Sequence, residues 1–438
     1  MGKATPDTSA SPPSVLTARA ARSSILKSFF TMVLVGLLLS VPALARGPLP
    51  PPAAQGRPGV PVLVDDASGQ AMKPWHDALR RAQRRKGQAR IAFYGASHTA
   101  ADLWTGQLRR LLQDRFGDAG HGFVFPARWN IGYRHQDIVT SAKGWAVARH
   151  KQVNVDPTGD YGLAGLTMTS ADPTDWAEVR STADNEHGRK FSRLELWFRS
   201  APDGGDLIVE VDGKRRVVAT RGDGTAQVAS WKLADTSHVV RMHPAGNGPV
   251  VLFGLNVDRT APGVVVDQLG IPGMRADIHL RWHEPNWARM LTARKPDLVV
   301  LAYGTNEVAD EAEPIEAYRD TWRKVLKRVR SAAPEAACLL VGPTDRLSKD
   351  LAGVKTTLPR TPAVIAAQKQ VAAELGCAHW DAFAAMGGAG SMLAWQTAGL
   401  ASVDDVHLTR NGYPWLAELL HYALLRDLGR PMRTAGVE

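Results

Sequence analysis

IAFYGASHT, residues 91–99, is the stretch that decides the fold. An apolar run ends there in a glycine, a small residue and Ser97, and an amphipathic helix pattern follows at residues 102–112. A strand that stops in a tight turn and feeds a helix places the turn at the carboxyl end of a sheet and at the positive end of a helix dipole. Ser97 is therefore predicted to be exposed, rigidly held and close to backbone N–H groups. The alternative is that it only caps the helix.

Two later segments have the same form. The run LVVLAYGTNE, residues 298–307, predicts a second buried strand that ends in a polar turn containing Asn306. Near the C-terminus, the run DDVHLT, residues 404–409, immediately precedes another helix pattern. Both segments place polar side chains at a strand end or a helix start, where open α/β sheets carry their sites.

From residue 263 onward, strand and helix patterns alternate. Strands are predicted at 264–269, 297–303, 337–342 and 378–382, with helices near 276–293, 314–332 and 363–375. Together with the strand before Ser97, this alternation is typical of a doubly wound, flavodoxin-like parallel sheet.

The middle of the chain, residues 128–262, has a different pattern of apolar and polar residues. Apolar and polar residues alternate there over short runs such as LIVEV at 207–211, and glycine-containing turns separate the runs. This pattern indicates an antiparallel β-sandwich or jelly roll. The predicted fold class is therefore α/β, with a β-domain inserted between the two parts of the α/β domain, residues 73–127 and 263–430.

The N-terminal region predicts export. An apolar run at residues 28–45 follows a basic stretch and ends in a small-x-small cleavage pattern. This pattern predicts a secretory signal peptide over residues 1–45, and the alternative is an uncleaved membrane tether through residues 28–45. Residues 46–72 begin with a proline-rich run and are expected to form a linker. A periplasmic or secreted protein would work where ATP, NAD and acyl-CoA are absent, so no cofactor is expected.

Composition and net charge restrict the kinds of partner that the protein is expected to bind. The chain has 438 residues, of which 44% are hydrophobic and 22% charged, as in ordinary globular proteins. The formal net charge is +10, and removal of residues 1–45 takes away four basic residues and one acidic residue and leaves +7. This charge suits an anionic polymer or envelope surface. Because the basic residues are scattered and no nucleic-acid motif occurs, no nucleic-acid partner is expected.

The two cysteines leave two possibilities open. Cys338 and Cys377 each begin a strand-like run, so neighbouring strands would allow a disulfide in an oxidising compartment. Two buried thiols are the alternative. Neither cysteine has metal-ligand spacing, and no metal is expected.

Ser97, Asn306 and the pair Asp404-x-x-His407, in this order, resemble the SGNH (GDSL-like) hydrolase superfamily. The resemblance covers about residues 88–125 and 263–428. An exported serine with an Asp-x-x-His segment also suits acyl transfer, because serine needs an adjacent base to act as a nucleophile.

The triad roles follow from this chemistry. His407 is expected to take the proton of Ser97, and Asp404 to hold the imidazole in the required orientation. Asp405 is the less favoured partner, because the Asp-x-x-His spacing selects Asp404.

The resemblance also implies three donors for an oxyanion: the backbone N–H of Ser97, a glycine N–H and an asparagine side chain. Asn306 matches the asparagine. The glycine is assigned to Gly273, with Gly270 as the alternative. The chain departs from the superfamily at Ala96, where an aspartate commonly precedes the nucleophile.

Two extended blocks, SHTAADLWTG at 97–106 and FGDAGHGF at 116–123, resemble a narrower group. These are envelope peptidoglycan O-acetylesterases, some of which carry a carbohydrate-binding-like β-domain at the position of residues 128–262. The resemblance implies a serine esterase that removes O-acetyl groups from a cell-envelope glycan through an acetyl-enzyme, with acetylated envelope polysaccharide as its partner.

Two other functions stay open: an O-acetyltransferase that uses the same triad, and a catalytically weak glycan-binding protein, which the departure at Ala96 suggests. Candidate sugar-stacking platforms in the β-domain are Trp145, Trp176, Trp197 and Trp231.

Overall fold

The structure is a computed structural model that describes residues 49–53, 55–149, 158–184 and 186–428. The predicted signal peptide, residues 1–45, lies outside the described residues. Within the described ranges, every helix is too short or too polar to cross a membrane.

The strands are β1 Gln88–Gly95, β2 Gly120–Val124, β3 Ile138–Lys143, β4 Ala146–Ala148, β5 Thr167–Ser170, β6 Trp176–Ser181, β7 Phe191–Arg199, β8 Asp206–Val211, β9 Lys214–Ala219, β10 Ala226–Thr236, β11 Val239–Pro244, β12 Val250–Asp258, β13 Gly263–Gly270, β14 Leu298–Ala302, β15 Ala337–Val341, β16 Leu347–Lys349, β17 Lys355–Thr357 and β18 Ala378–Trp380. The helices are α1 Lys73–Gln83, α2 Ser97–Ala100, α3 Leu103–Phe116, α4 Glu284–Arg294, α5 Ile315–Ala332, α6 Thr361–Glu374, α7 Ala382–Met386, α8 Ser391–Thr397 and α9 Gly412–Leu425, with short 3-10 helices at Ala276–Arg281 and Glu307–Ala309.

A parallel sheet in the order β13-β1-β14-β15-β18 forms the centre of the α/β part. When its strands are numbered among themselves along the chain, this order is 2-1-3-4-5, which is the flavodoxin-like order. The prediction of a doubly wound α/β fold is confirmed. The register aligns Gly95 with Gly270 and with Ala302, so β1, β13 and β14 end at one edge. The strand order reverses between β1 and β14, and ligands of such sheets bind at this switch point.

Both faces of β1 are buried, as expected for a parallel sheet covered by helices. Ile91 and Phe93 pack in the hydrophobic cluster that includes side chains of α1, α3 and α9. Ala92 and Tyr94 pack in the opposite cluster, which includes side chains of α4, α5 and α6. Because its side chains alternate between two cores, β1 is held rigidly up to Gly95.

Two antiparallel sheets form the predicted β region. Their orders are β10-β7-β12-β5-β4, with β2 also pairing with β12, and β3-β6-β11-β8-β9. Buried side chains from both sheets, such as Leu196 and Met242, belong to one hydrophobic cluster. Strand β2 lies inside the expected α/β segment 73–127, yet it pairs antiparallel with β12, Val124 opposite Leu255.

Part of the expected linker, 46–72, lies against the α/β fold. The Trp415 Nε1–H donates to the Pro58 carbonyl at 2.7 Å. Asp65 and His379 exchange two backbone hydrogen bonds, at 2.7 and 2.8 Å, beside the edge strand β18. Buried indole N–H groups need an acceptor, and this segment supplies one.

The predicted helix at 276–293 is wrong as a single element, because it is a 3-10 helix at Ala276–Arg281 followed by α4 from Glu284. Pro285, in the first turn of α4, lacks an N–H and fits only at a helix start.

Of the two possibilities for the cysteines, the structure has the disulfide. Cys338 of β15 and Cys377 beside β18 are bonded, with a Cα–Cα distance of 4.7 Å.

Candidate active site

Three of the predicted site residues form one hydrogen-bonded chain. Ser97 is the first residue of α2, directly after the turn that ends β1. Its Oγ lies 2.8 Å from Nε2 of His407, and Nδ1 of the same ring lies 2.8 Å from Oδ2 of Asp404. The predicted nucleophile, base and orienting carboxylate are thus joined by two consecutive hydrogen-bond contacts.

The loop before α9 holds the Asp404 carboxylate in place. Its Oδ1 accepts the backbone N–H groups of Val406 at 3.0 Å and His407 at 2.8 Å, which leaves Oδ2 for the imidazole. Partial burial pushes the pKa of Asp404 upward, but these N–H donors and the His407 ring outweigh it, and the pKa lies below its usual value. Asp404 therefore stays ionised beside the ring.

The neighbouring carboxylate, Asp405, points elsewhere. It accepts hydrogen bonds from Lys355 Nζ at 2.6 Å and Gln396 Nε2 at 2.9 Å. Its backbone is in the left-handed region, with φ at 66°, and this turn separates the directions of the two aspartates.

The loops after β13 and β14 bring Asn306 beside Gly273. The Asn306 Nδ2 donates to the carbonyl of Met274, the residue after Gly273, at 2.8 Å. Gly273 has a φ of +77°, its N–H finds no acceptor among the described residues, and a Cβ built there would meet nothing within 4 Å. At Gly270, in contrast, a Cβ would lie 2.5 Å from the backbone nitrogen of Ala100. Gly270 thus serves close packing, and Gly273 occupies an open turn.

Glu307 is a site residue that the sequence reasoning missed. Its buried carboxylate accepts the N–H of Ala276 at 2.9 Å and the N–H of Gly304 at 3.0 Å. It therefore ties the loop after β13 to the loop after β14. Burial raises the pKa of Glu307 to about 7, although these N–H donors act in the opposite direction. Its adjacency to Asn306 was the only sequence signal.

His98, the residue after Ser97, is an anchor of the turn. Its ring is buried, with Nδ1 at 2.9 Å from the Tyr413 hydroxyl and Nε2 at 3.2 Å from the Thr344 hydroxyl. Burial, reinforced by the charge of His407, lowers the pKa of His98 to about 3. The ring is therefore neutral and connects α2 to α9.

Ala96, where the superfamily commonly has an aspartate, is buried in the hydrophobic cluster on the α4–α6 face of the sheet. The departure leaves the contacts of Ser97, His407 and Asp404 complete. An apolar methyl group fits this cluster without a carboxylate that would need partners.

Comparisons with known proteins agree with this geometry. A model of the GDSL-like lipase/acylhydrolase family matches residues 236–415. A solved structure of a peptidoglycan O-acetylesterase is 27% identical, with a TM-score of 0.72, and the match covers 84% of this chain and 99% of that chain. Both findings support the SGNH (GDSL-like) hydrolase superfamily for this chain. These findings support a hydrolytic esterase.

Further solved structures similar to this chain include family two carbohydrate esterases. The enzyme from Cellvibrio japonicus is 13% identical with a TM-score of 0.26, over 66% of this chain and 98% of that chain. The enzyme from Clostridium thermocellum, in complex with cellohexaose, is 11% identical with a TM-score of 0.26, over 60% and 95% of the two chains. Their TM-scores are too low to support a conclusion about this chain. No curated protein matches by sequence.

One group of side chains in the described residues has metal-ligand chemistry. Asp102, His121 and His135 bring one ligand atom each to within 4.8 Å of one another. Asp102 pairs with Arg109 at 3.0 Å, and His135 Nε2 accepts the N–H of Phe125 at 3.2 Å, whereas the buried His121 Nδ1 has no hydrogen-bond partner among the described residues. The Arg109 charge disfavours a second cation here.

The candidate sugar-stacking tryptophans are largely covered. Trp145 and Trp197 are buried. Trp176 and Trp231 are half-buried and lie beneath the guanidinium groups of Arg241 and Arg216, respectively, at 4.8 and 5.9 Å from the ring centroids. One face of each of these two rings is therefore occupied by an arginine.

Proposed function

We propose that this SGNH hydrolase is an exported serine esterase that removes O-acetyl groups from a cell-envelope glycan, with peptidoglycan as its substrate. The observation that carries the proposal is the chain of 2.8 Å contacts from Ser97 through His407 to Asp404. The similarity to a peptidoglycan O-acetylesterase over 84% of the chain supports the substrate.

The proposed reaction uses each of these groups in turn. His407 Nε2 takes the proton of Ser97 while Oγ attacks the acetyl carbonyl, and Asp404 stabilises the imidazolium that forms. The Ser97 N–H, the Gly273 N–H and the Asn306 Nδ2 meet the developing oxyanion. The sugar hydroxyl leaves with the proton from His407, and water, activated by the same imidazole, releases acetate from the acetyl-enzyme.

Solvent access favours hydrolysis over transfer to a sugar. The side chains of His407 and Asp404 are 39% and 47% exposed, so water reaches the base directly. A transferase using the same triad must keep water away from its acyl-enzyme. A catalytically weak glycan-binding protein would not need the contact between Ser97 and His407.

The domain organisation is part of the proposal. Residues 1–45 would direct export to the periplasm or medium, residues 46–72 would connect to the folded part, and the β region at 128–262 would hold the glycan. The hydrolase would consist of residues 73–127 and 263–430. The reaction needs neither a metal nor a cofactor, and no nucleic acid is involved.

The test is acetate release by the purified protein from O-acetylated peptidoglycan, acetylated xylan and p-nitrophenyl acetate. We expect hydrolysis of the small ester and a kcat/KM on peptidoglycan well above that on xylan. Peptidoglycan stripped of O-acetyl groups by mild base, and supplied as acceptor with the small ester, should gain no acetyl groups. Acetylation of this acceptor would indicate the transferase, and binding without any ester turnover would indicate the glycan-binding protein.

A further inference from the structure

A basic loop forms one wall of the proposed active site. This loop, residues 126–137, is anchored to the end of the helix that carries Ser97: the Arg134 N–H donates to the Ala100 carbonyl at 3.0 Å, and Gln136 Nε2 donates to the Ala101 carbonyl at 3.1 Å. The buried carboxylate of Asp102 accepts the Gln136 N–H at 2.7 Å. The loop is therefore fixed relative to the nucleophile.

The same loop also reaches the other side of the site. A Cβ built on Gly132 would lie 3.8 Å from Pro272, next to Gly273 in the turn after β13. The loop thus spans from α2 to the turn that contributes the proposed oxyanion glycine. Ile131, at its tip, is 81% exposed.

Three arginines gather at this wall. Arg128 Nη2 and Arg134 Nε both donate to the Ile131 carbonyl, each at 3.4 Å, so their guanidinium groups converge on one acceptor. Arg410 follows His407 by three residues and is exposed. Burial lowers the pKa of Arg134, and the positive charges of Arg128 and Arg410 lower it further.

None of these arginines forms an ion pair with a carboxylate in the described part of the chain, whereas neighbouring arginines do. Arg110 pairs with Asp137 at 2.6 Å, and Arg275 pairs with Asp310. Unpaired like charges repel one another, so an anion from outside the protein would be attracted to this wall and would relieve the repulsion. Arginine also suits carboxylate recognition, because its planar group can donate two parallel hydrogen bonds.

We propose that Arg128, Arg134 and Arg410 form a carboxylate-binding subsite, which makes the preferred substrate an O-acetylated glycan whose strand carries carboxylates close to the ester. This inference rests on the proposed function and deepens it. Peptidoglycan offers such carboxylates on its peptide stems. An acetyl ester bound at Ser97 would bring one of them to this wall.

The experiment compares one polymer with and without its charge. O-acetylated peptidoglycan is used as isolated and after carbodiimide coupling has converted its carboxylates to neutral amides, with p-nitrophenyl acetate as the small substrate. For the wild type, we expect the KM for the amidated polymer to be at least about tenfold higher than the KM for the charged polymer. This is the change expected when a hydrogen bond to a charged group is lost. High salt should narrow this difference.

The variants are Arg134→Gln and, as an independent test at an exposed position, Arg410→Gln. Each should lower kcat/KM for the charged polymer about tenfold relative to its own activity on the small ester, mainly through KM. Arg134→Lys should recover only part of this loss. The matched control is Arg289→Gln, an exposed arginine on α4, which should behave like the wild type on all three substrates.

Two results would overturn the subsite: equal KM values for the charged and amidated polymers in the wild type, or variants that lose activity on both polymers to the same degree. Failure of the wild type to hydrolyse even p-nitrophenyl acetate would instead contradict the proposed function. Wild-type hydrolysis of the small ester and of neither polymer would contradict peptidoglycan as the substrate and, with it, the subsite.

Discussion

The proposed catalytic residues and a buried ionic cluster both pair aspartates with nitrogen groups, but solvent reaches only one of them. The side chains of His407 and Asp404 are 39% and 47% exposed, respectively. In the buried ionic cluster, Asp258 and Asp267 flank Arg294, and none of the three side chains is more than 2% exposed. The Arg294 guanidinium lies 2.9 Å from Asp258 Oδ1 and 2.7 Å from Asp267 Oδ2.

The difference in solvent access separates the proposed chemical role of one group from the structural role of the other. Burial pushes the pKa of Asp258 up, but the charges of Arg294 and Arg90 outweigh it and hold the pKa well below its ordinary value. These charges are fixed at all ordinary pH values. They join the end of β12 to β13, and so join the antiparallel sheet to the parallel one. The side chains of His407 and Asp404, in contrast, are open to solvent, and in the proposed reaction only the imidazole exchanges protons while Asp404 stays ionised.

The largest expected effect is on catalysis at the exposed pair. Asp404→Asn should lower kcat on p-nitrophenyl acetate by about 10²- to 10⁴-fold, because an amide cannot hold the imidazole tautomer that accepts the serine proton. The melting temperature should change little. The adjacent Asp405→Asn is the matched control: it should keep kcat near the wild-type value and lose about 1 kcal/mol of stability with its Lys355 pair. Equal losses of kcat in the two variants would contradict the assignment.

The next effect is on stability at the buried ionic cluster. Arg294→Met should lower the free energy of unfolding by about 3–5 kcal/mol, because it leaves two buried carboxylates without their shared cation. Urea unfolding followed by tryptophan fluorescence measures this loss. Arg81→Met removes a pair with Asp297 in which the arginine is 51% exposed, and it should cost less than about 1 kcal/mol. If the two losses are alike, the buried cluster has no special structural role.

The smallest expected effect is the pH dependence of stability that Glu307 causes. Glu307 combines features of both regions, because it is a buried carboxylate inside the proposed site. Its folded pKa of about 7 lies above its ordinary value of 4.5, so the folded state holds the proton between these values. Glu307 therefore contributes roughly 1–3 kcal/mol to the free energy of unfolding. This contribution is fully present below about pH 4.5 and is lost as pH rises through about 7.

Glu307→Gln should therefore flatten the pH dependence of stability between pH 5 and 7, as measured by thermal unfolding at each pH. Glu335→Gln, at an exposed glutamate, should keep the wild-type slope. The account of Glu307 fails if its variant and the wild type lose stability in parallel across this range.

Local sequence predicted the residues of the proposed site, because each lies in a motif at a strand end or helix start. Ser97, Asn306, Asp404 and His407 can all be recognised in this way, and the parallel sheet order brings the ends of β1, β13 and β14 to one edge. Gly273 could be separated from Gly270 only by its surroundings, since one glycine is open and the other is packed against α2.

The supporting contacts could not be read from the sequence, because they join residues far apart in the chain. Glu307 meets Ala276 across 31 positions, and Arg294 meets Asp258 across 36. The tryptophans show the same limit: their location in the β-domain suggested stacking platforms, but burial of Trp145 and Trp197 depends on which strands pair. The positions of such contacts follow from the topology, which the motifs alone do not specify.

The most direct test of the central claim, that Ser97 is the nucleophile, is the rate of acetate release by Ser97→Ala on p-nitrophenyl acetate and on O-acetylated peptidoglycan. The control is Ser230→Ala, which makes the same chemical change at an exposed position on β10. We predict a loss of at least about 10³-fold in kcat for Ser97→Ala, with an unchanged melting temperature, and wild-type rates for Ser230→Ala. A Ser97→Ala rate close to that of the wild type on either substrate would contradict the account.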